Sequence, residues 1–125
     1  MPKRIFTSFA IEDRTVKEFF IGQAKNDRVP YEFVDMAVRQ PWDSSWKTNC
    51  RSRIRSCDGV IVLITKNLKK ADGAIWEIKC AKDENIPLLG VYMKDCGILD
   101  TPTELDGINK INWTWSGIAD FVNSL

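Results

Sequence analysis

The sequence contains no histidine. This absence excludes Ser-His-Asp and Cys-His nucleophilic pairs as well as imidazole acid–base catalysis. It also removes the side chain that the usual zinc sites need, so no metal site is predicted. An enzyme built from this chain must therefore work with carboxylates, hydroxyls, thiols, backbone dipoles and aromatic surfaces.

Paired cysteine motifs and excess charge are also lacking. None of the four cysteines forms a CxxC spacing and three fall in apolar or helical contexts, which favours reduced core thiols over disulfides. The net charge is only +1, so there is no electrostatic reason to expect nucleic acid or an anionic membrane as a partner.

No apolar run approaches the ~18 residues that would span a bilayer. The first residues, Met1 to Phe6, lack the apolar core of a signal peptide. We therefore expect a cytoplasmic protein. Its 125 residues suffice for one core, and we expect a single domain over residues 1–125.

One apolar stretch organises the rest of the chain. Residues 60–64 are five consecutive Val, Ile and Leu residues, the pattern of a strand buried on both faces. A helix capped by Asp72 is predicted to follow. At about 100° per residue, Glu77 lies about 40° from Ala81 and about 60° from Ala74, on the shoulder of the buried face. A carboxylate there costs solvation energy unless the protein uses it, so Glu77 is the candidate catalytic residue.

Strands and helices are predicted to alternate along the chain. The predicted strands are residues 3–9, 29–35, 60–64, 86–93 and 111–113. Apolar stripes mark the helices between them, and Ser116 is predicted to cap the closing helix. Stripe residues of the first two helices are Val16, Phe19, Phe20, Ala24, Trp46, Cys50, Ile54 and Cys57. Alternation of this kind predicts a three-layer α/β sandwich with a five-stranded parallel, flavodoxin-like sheet in the order 2-1-3-4-5.

In such sheets ligands bind beyond the carboxyl ends of the strands, near the switch between the first and third strands. A loop from Met36 to Ser44 is predicted to lie over this edge. With Glu77 joining from its helix, the residues expected to surround a substrate are Ser8, Phe9, Asp35, Trp42 and Trp46.

Each of these residues also has a structural interpretation. Ser8 can cap the first helix, Phe9 can belong to the core, and Asp35 can anchor a loop backbone. Trp46 begins an apolar stripe, which favours the core, whereas Trp42 belongs to no stripe and is the better candidate for stacking on a flat ring.

The candidate site does not suit two common functions of this fold. A phosphoreceiver needs an aspartate where this chain has Thr65, and a flavin site needs a Gly/Ser/Thr-rich loop where it has Phe9-Ala10-Ile11. The residues suit N-glycosidic cleavage of a nicotinamide nucleotide instead. The nicotinamide of NAD is already a pyridinium, so it leaves without a general acid, whereas the cationic ribose gains from one carboxylate and from aromatic walls.

Several segments in this order resemble the TIR-like family that includes the Thoeris antiphage sensor proteins. The resemblance runs from about residue 4 to about residue 93. It is carried by Phe6-Thr7-Ser8-Phe9 with Glu12-Asp13, Phe33-Val34-Asp35, Trp46 with Arg51-Ser52-Arg53-Ile54, Val60-Ile61-Val62-Leu63-Ile64 and Trp76-Glu77-Ile78.

The resemblance implies a flavodoxin-like fold and NAD as a substrate rather than a cofactor. Active members cleave NAD and often cyclise or transfer the ADP-ribose to make a signal for a downstream effector. Glu77 matches the catalytic glutamate of the family, and Ser8 and Phe9 match its first substrate-bordering box. Because active sites of the family can be completed across subunits, the resemblance allows for a homo-oligomer.

This chain differs from the family pattern in the segment before Glu77. Members commonly carry Ser, Trp and a small residue where Ala71, Gly73 and Ala74 stand here. Two alternatives remain open, and these residues favour the first. One is a non-catalytic TIR-like module for protein interaction or nucleotide sensing; the other is an enzyme like nucleoside deoxyribosyltransferases, which needs a carboxylate nucleophile facing the anomeric carbon.

Overall fold

A computed structural model describes residues 2–36 and 44–125 of the chain. In these two ranges, five strands form one parallel sheet in the order β2-β1-β3-β4-β5, as predicted. The strands are β1 (Arg4–Ser8), β2 (Glu32–Val34), β3 (Gly59–Ile64), β4 (Leu88–Tyr92) and β5 (Lys110–Asn112). The observed β2 is shorter than the predicted strand, because only three of its residues pair with β1.

The helices that connect and close the sheet are α1 (Arg14–Asn26), α2 (Ser44–Arg55), α3 (Asp72–Asp83) and α4 (Trp115–Asn123). Two of the predicted caps are wrong. Asp72 is the first residue of α3, and Ala71, which precedes it, caps the helix without a side-chain bond. Thr114 caps α4 instead of Ser116, because its extended backbone lets its hydroxyl accept a hydrogen bond from the Gly117 N–H at 3.1 Å.

The core has two parts, one on each face of the sheet. Alternate residues of β3 supply both: Val60, Val62 and Ile64 pack with α2 and α3, whereas Ile61 and Leu63 pack with α1 and α4. Every residue of β3 is buried, as expected for the central strand of a parallel sheet. The layers are therefore α2 and α3, the sheet, then α1 and α4.

Phe19 was predicted to belong to the buried face of α1 but is 57% exposed. In contrast, Phe20 and Ala24 of the same stripe are buried. Phe19 contacts Trp113 edge-on at a centroid distance of 5.7 Å, so it packs at the margin of the layer rather than within it. The apolar stripe of α1 is thus wider than the surface that the sheet covers.

Part of the predicted site lies outside the described residues. This applies to Trp42 and to most of the loop predicted between Met36 and Ser44. Within the described ranges, no helix combines the length and the apolarity needed to cross a bilayer.

Candidate active site

Glu77 lies in the middle of α3 and its side chain is buried, with 5% of the residue exposed. Both carboxyl oxygens have a partner. The Ser8 hydroxyl, at the end of β1, donates to Oε1 at 2.7 Å, and the Cys50 thiol of α2 approaches Oε2 at 3.7 Å. Three elements thus meet at this one carboxyl group, which fixes its position.

Burial raises the pKa of Glu77 to about 8, and the charge of Asp35 acts in the same direction. The hydrogen bonds from Ser8 and Cys50 oppose this shift because they stabilise the carboxylate. Burial, followed by the charge of Glu77, also raises the pKa of Cys50, so Cys50 remains a neutral thiol donor. The site therefore holds a carboxyl group that changes its charge close to neutral pH.

We expect Ser8→Ala to raise the pKa of Glu77 further, by roughly one pH unit, because the substitution removes the shortest hydrogen bond to the carboxylate. A carbon-13 NMR titration of the Glu77 carboxyl would measure the change. Ser52→Ala, at an exposed position of α2, is the matched control. An unchanged or lowered pKa in Ser8→Ala would show that the serine does not support the charged form.

A pocket of about 210 Å³ opens beside Glu77. It lies past the ends of β1 and β3, between α2, α3 and the turn that precedes α1. The described residues that line it are Phe9, Ile11, Glu12, Met36, Trp46, Lys70, Ala71, Asp72, Gly73, Ala74 and Glu77. Pockets for whole drug-sized ligands measure roughly 300–1,000 Å³, so this volume suits one end of a dinucleotide.

Three of the predicted site residues meet at this pocket. Phe9, Trp46 and Glu77 all line it. Trp46 is also 8% exposed and part of the core, as its structural interpretation predicts. Its ring meets that of Trp76 at a centroid distance of 5.5 Å, and the ammonium group of Lys17 lies 5.4 Å from the centre of the Phe9 ring.

The other two described candidates do not line the pocket. Ser8 lies behind Glu77, which it holds by the hydrogen bond given above. Asp35 pairs with Lys17 at 3.1 Å, and its carbonyl accepts a hydrogen bond from Arg53 at 2.5 Å. Asp35 thus anchors the chain after β2 and acts on Glu77 through its charge.

The three positions compared with the family pattern all line the pocket. Ala71 precedes α3, and Gly73 and Ala74 lie in its first turn. A Cβ at Gly73 would lie 3.9 Å from the ring of Trp46. Position 73 thus carries no tryptophan of its own, but the indole ring of Trp46, from α2, lies beside it.

Sequence reasoning missed two contributors. Cys50 was placed in the core by its stripe, and nothing in the sequence indicated its contact with Glu77. Lys70 lies in the turn that joins β3 to α3. The rule that ligands bind past the strand ends could have identified Lys70. In residues 2–36 and 44–125, no cluster of His, Cys, Asp or Glu side chains is suited to hold a metal ion.

The 2-1-3-4-5 parallel sheet, with a carboxyl-lined pocket past β1 and β3, defines a flavodoxin-like α/β protein of the TIR-like class. The family described as "Thoeris protein ThsB, TIR-like domain" matches residues 6–96. The chain belongs to this family.

Solved structures agree with the fold. A conserved protein from Enterococcus faecalis V583 has a TM-score of 0.67 at 11% identity, covering 99% of each chain. The TIR domains of the activated Roq1 resistosome, which recognises the pathogen effector XopQ, have a TM-score of 0.51 at 15% identity. That match covers 72% of this chain and 57% of the other. No curated protein sequence matches this chain significantly.

Proposed function

We propose that this protein cleaves the nicotinamide N-glycosidic bond of NAD and that the ADP-ribose product, cyclised, transferred or released, acts as a signal to a downstream effector. The observation that carries the proposal is the carboxyl group of Glu77, held by Ser8 and Cys50 in the wall of a pocket at the carboxyl ends of the strands. Family membership supports the same chemistry.

The proposed reaction needs charge stabilisation rather than proton transfer. When the bond between the nicotinamide nitrogen and the ribose C1′ breaks, its electron pair returns to the pyridinium ring, which leaves as neutral nicotinamide. The positive charge moves to the ribose, where the Glu77 carboxylate stabilises it. Water, a nucleophile of the ADP-ribose itself or a hydroxyl of an acceptor molecule then attacks C1′, and the attacking group loses a proton to solvent.

The described lining of the pocket suits both charges of this substrate. Glu12 and Glu77 offer carboxyl groups to the cationic nicotinamide end. The start of α3 has no side-chain cap, so its first N–H groups and the nearby Lys70 are available to the pyrophosphate. The rings of Phe9 and Trp46 provide flat apolar walls for the nicotinamide and its ribose.

A pH series of NAD turnover tests this function. Because the proposed reaction uses the carboxylate form, kcat/KM should rise about tenfold per pH unit below about pH 8, where Glu77 ionises, and then level off. Products would be separated by liquid chromatography over a range of enzyme concentrations. Glu18→Gln, at an exposed position of α1, should follow the same profile as the unmodified protein.

Two results would contradict the proposal. A kcat/KM value that falls as the pH rises towards 8 would mean that a protonated group carries the reaction. No release of nicotinamide at any pH or concentration would favour the non-catalytic module, for which the residues at Ala71, Gly73 and Ala74 are the supporting observation.

A further inference from the structure

A second and larger pocket, of about 580 Å³, also lies at the carboxyl ends of the strands, but on the side of the sheet that α1 covers. It is formed where β3, β4 and β5 end against α1. Its floor and walls are apolar and include Val16, Phe19, Met93 and Trp113. Charged residues at its border include Asp13, Lys66, Lys94 and Asp95. None of these residues belongs to the pocket beside Glu77.

One exposed apolar side chain lines this second pocket, and two more lie a few residues after its wall in the sequence. Among the described residues, the large apolar side chains that are exposed are Ile11, Phe19, Ile98 and Leu99. Phe19 lines the second pocket and is 57% exposed. Ile98 and Leu99, which we call the aliphatic knob, are 80% and 84% exposed. An exposed apolar projection near an apolar hollow is typical of an interaction site on a protein.

The aliphatic knob is adjacent in sequence to the wall of the second pocket. Cys96 lines the pocket, and the 3-10 turn Ile98–Asp100 begins two residues later. The turn is also tied to the pocket border, because the Lys66 ammonium group donates to the Asp95 carbonyl at 3.1 Å and pairs with Asp100 at 3.8 Å. Within the turn, Asp100 accepts a hydrogen bond from the Gly97 N–H at 2.9 Å. The knob is therefore held in place before any partner arrives, which lowers the entropic cost of binding.

We propose that the occupant of the second pocket is the aliphatic knob of a second copy of this chain, in a two-fold symmetric dimer. A two-fold interface uses one surface twice, so that surface must be complementary to itself. An apolar hollow and an apolar projection side by side meet this requirement. When the knob of one copy enters the pocket of the other, the second knob is brought to the first pocket.

The charges also favour association between copies. Lys94 and Asp95 are neighbouring exposed residues of opposite sign at the pocket border, and a two-fold contact can pair unlike charges from such a mixed rim. The net charge of +1 gives little repulsion between copies. A small ligand would fill the hollow but would leave Ile98 and Leu99 in water, so it explains less of the surface than a second copy does.

Sedimentation equilibrium over about 1–500 µM protein tests the proposal, since an interface with so small an apolar centre should have a Kd of about 10–100 µM. The double variant Ile98→Ser, Leu99→Ser should raise the Kd at least about 30-fold. Thr15→Arg, which places a long charged side chain at an exposed position of the pocket lining, should do the same. Ile11→Ser is the matched control, because this isoleucine is exposed but lines the other pocket, and it should leave the Kd unchanged.

Mixing the two impaired variants gives the sharpest test. The double variant keeps its pocket and Thr15→Arg keeps its knob. The mixture should therefore form heterodimers held by one knob in one pocket, a contact that neither variant can make with itself. Circular dichroism confirms that each variant is folded. A chain that stays monomeric up to about 500 µM, a dimer that neither variant weakens, or a mixture without heterodimers would overturn the proposal. Assemblies larger than a dimer would overturn its two-fold arrangement.

Discussion

Replacing Glu77 with glutamine is expected to lower kcat for NAD cleavage by about 10³-fold while the fold remains intact. Glutamine has nearly the same shape and can still accept the hydrogen bond from Ser8, but it cannot carry the negative charge that stabilises the cationic ribose. The loss should therefore appear in kcat more than in KM, because the charge acts mainly in the transition state. Single-turnover measurements of nicotinamide release over a range of NAD concentrations would separate the rate of the chemical step from the affinity for NAD.

A shorter carboxylate at the same position separates charge from distance. Glu77→Asp keeps the charge but withdraws it by one methylene, and a displacement of about 1 Å is expected to cost about 10²-fold. Glu18→Gln, on the exposed side of α1, removes a charge of the same kind elsewhere and should retain full activity. Turnover that survives in Glu77→Gln would exclude the proposed role of this residue.

Much of the fold could be predicted from the sequence, because it depends on local patterns. The uninterrupted apolar run at residues 60–64 is buried at every position and forms the centre of the sheet. The stripe of α2, formed by Trp46, Cys50 and Ile54, is buried as its spacing predicts. Cys57, which was assigned to the same stripe, is also buried but lies two residues past the end of the helix. Parallel strands with helical connections then leave few possible topologies, which is why the strand order was predicted as well.

Contacts between distant segments could not be predicted in the same way. The sequence placed Glu77 at the shoulder of a helix, but spacing alone does not show that Ser8 and Cys50 converge on its carboxyl oxygens. Phe19 was assigned to the buried face because its spacing fits, yet the extent of the covering layer is a property of the whole fold. The second pocket likewise depends on where three strands end relative to α1.

Glu77 should also make the stability of the protein depend on pH. The pKa of this carboxyl is raised from 4.5 to about 8 in the folded state, so the unfolded chain releases the proton first. Between these two pH values the folded state binds more protons, and the free energy of unfolding therefore falls as the pH rises. The contribution of Glu77 is fully present below about pH 4.5 and lost above about pH 8, a change on the order of 5 kcal/mol.

Glu77→Gln removes this dependence, since its side chain has no proton to release. The variant and the unmodified protein should have similar stability near pH 4.5, whereas at pH 8 the variant should melt roughly 15 °C higher. Differential scanning calorimetry of both proteins across this range measures the difference in melting temperature. The other carboxyl groups contribute equally to both proteins, so their effects cancel in this difference. A variant that is inactive and yet more stable would show that the protein sacrifices stability to keep a carboxylate at this site.

Glu84→Gln is a control of opposite sign for the same calorimetric series. The hydrogen bond and charge of Arg55 lower the pKa of Glu84, so its contribution to stability is present above the ordinary carboxyl range and lost as the pH falls. Its replacement should therefore destabilise the protein at pH 8 and have less effect near pH 4.5. If Glu77→Gln instead followed Glu84→Gln and lost stability as the pH rose, the carboxyl of Glu77 would be stabilised in its charged form, and the desolvation that raises its pKa would be disproved.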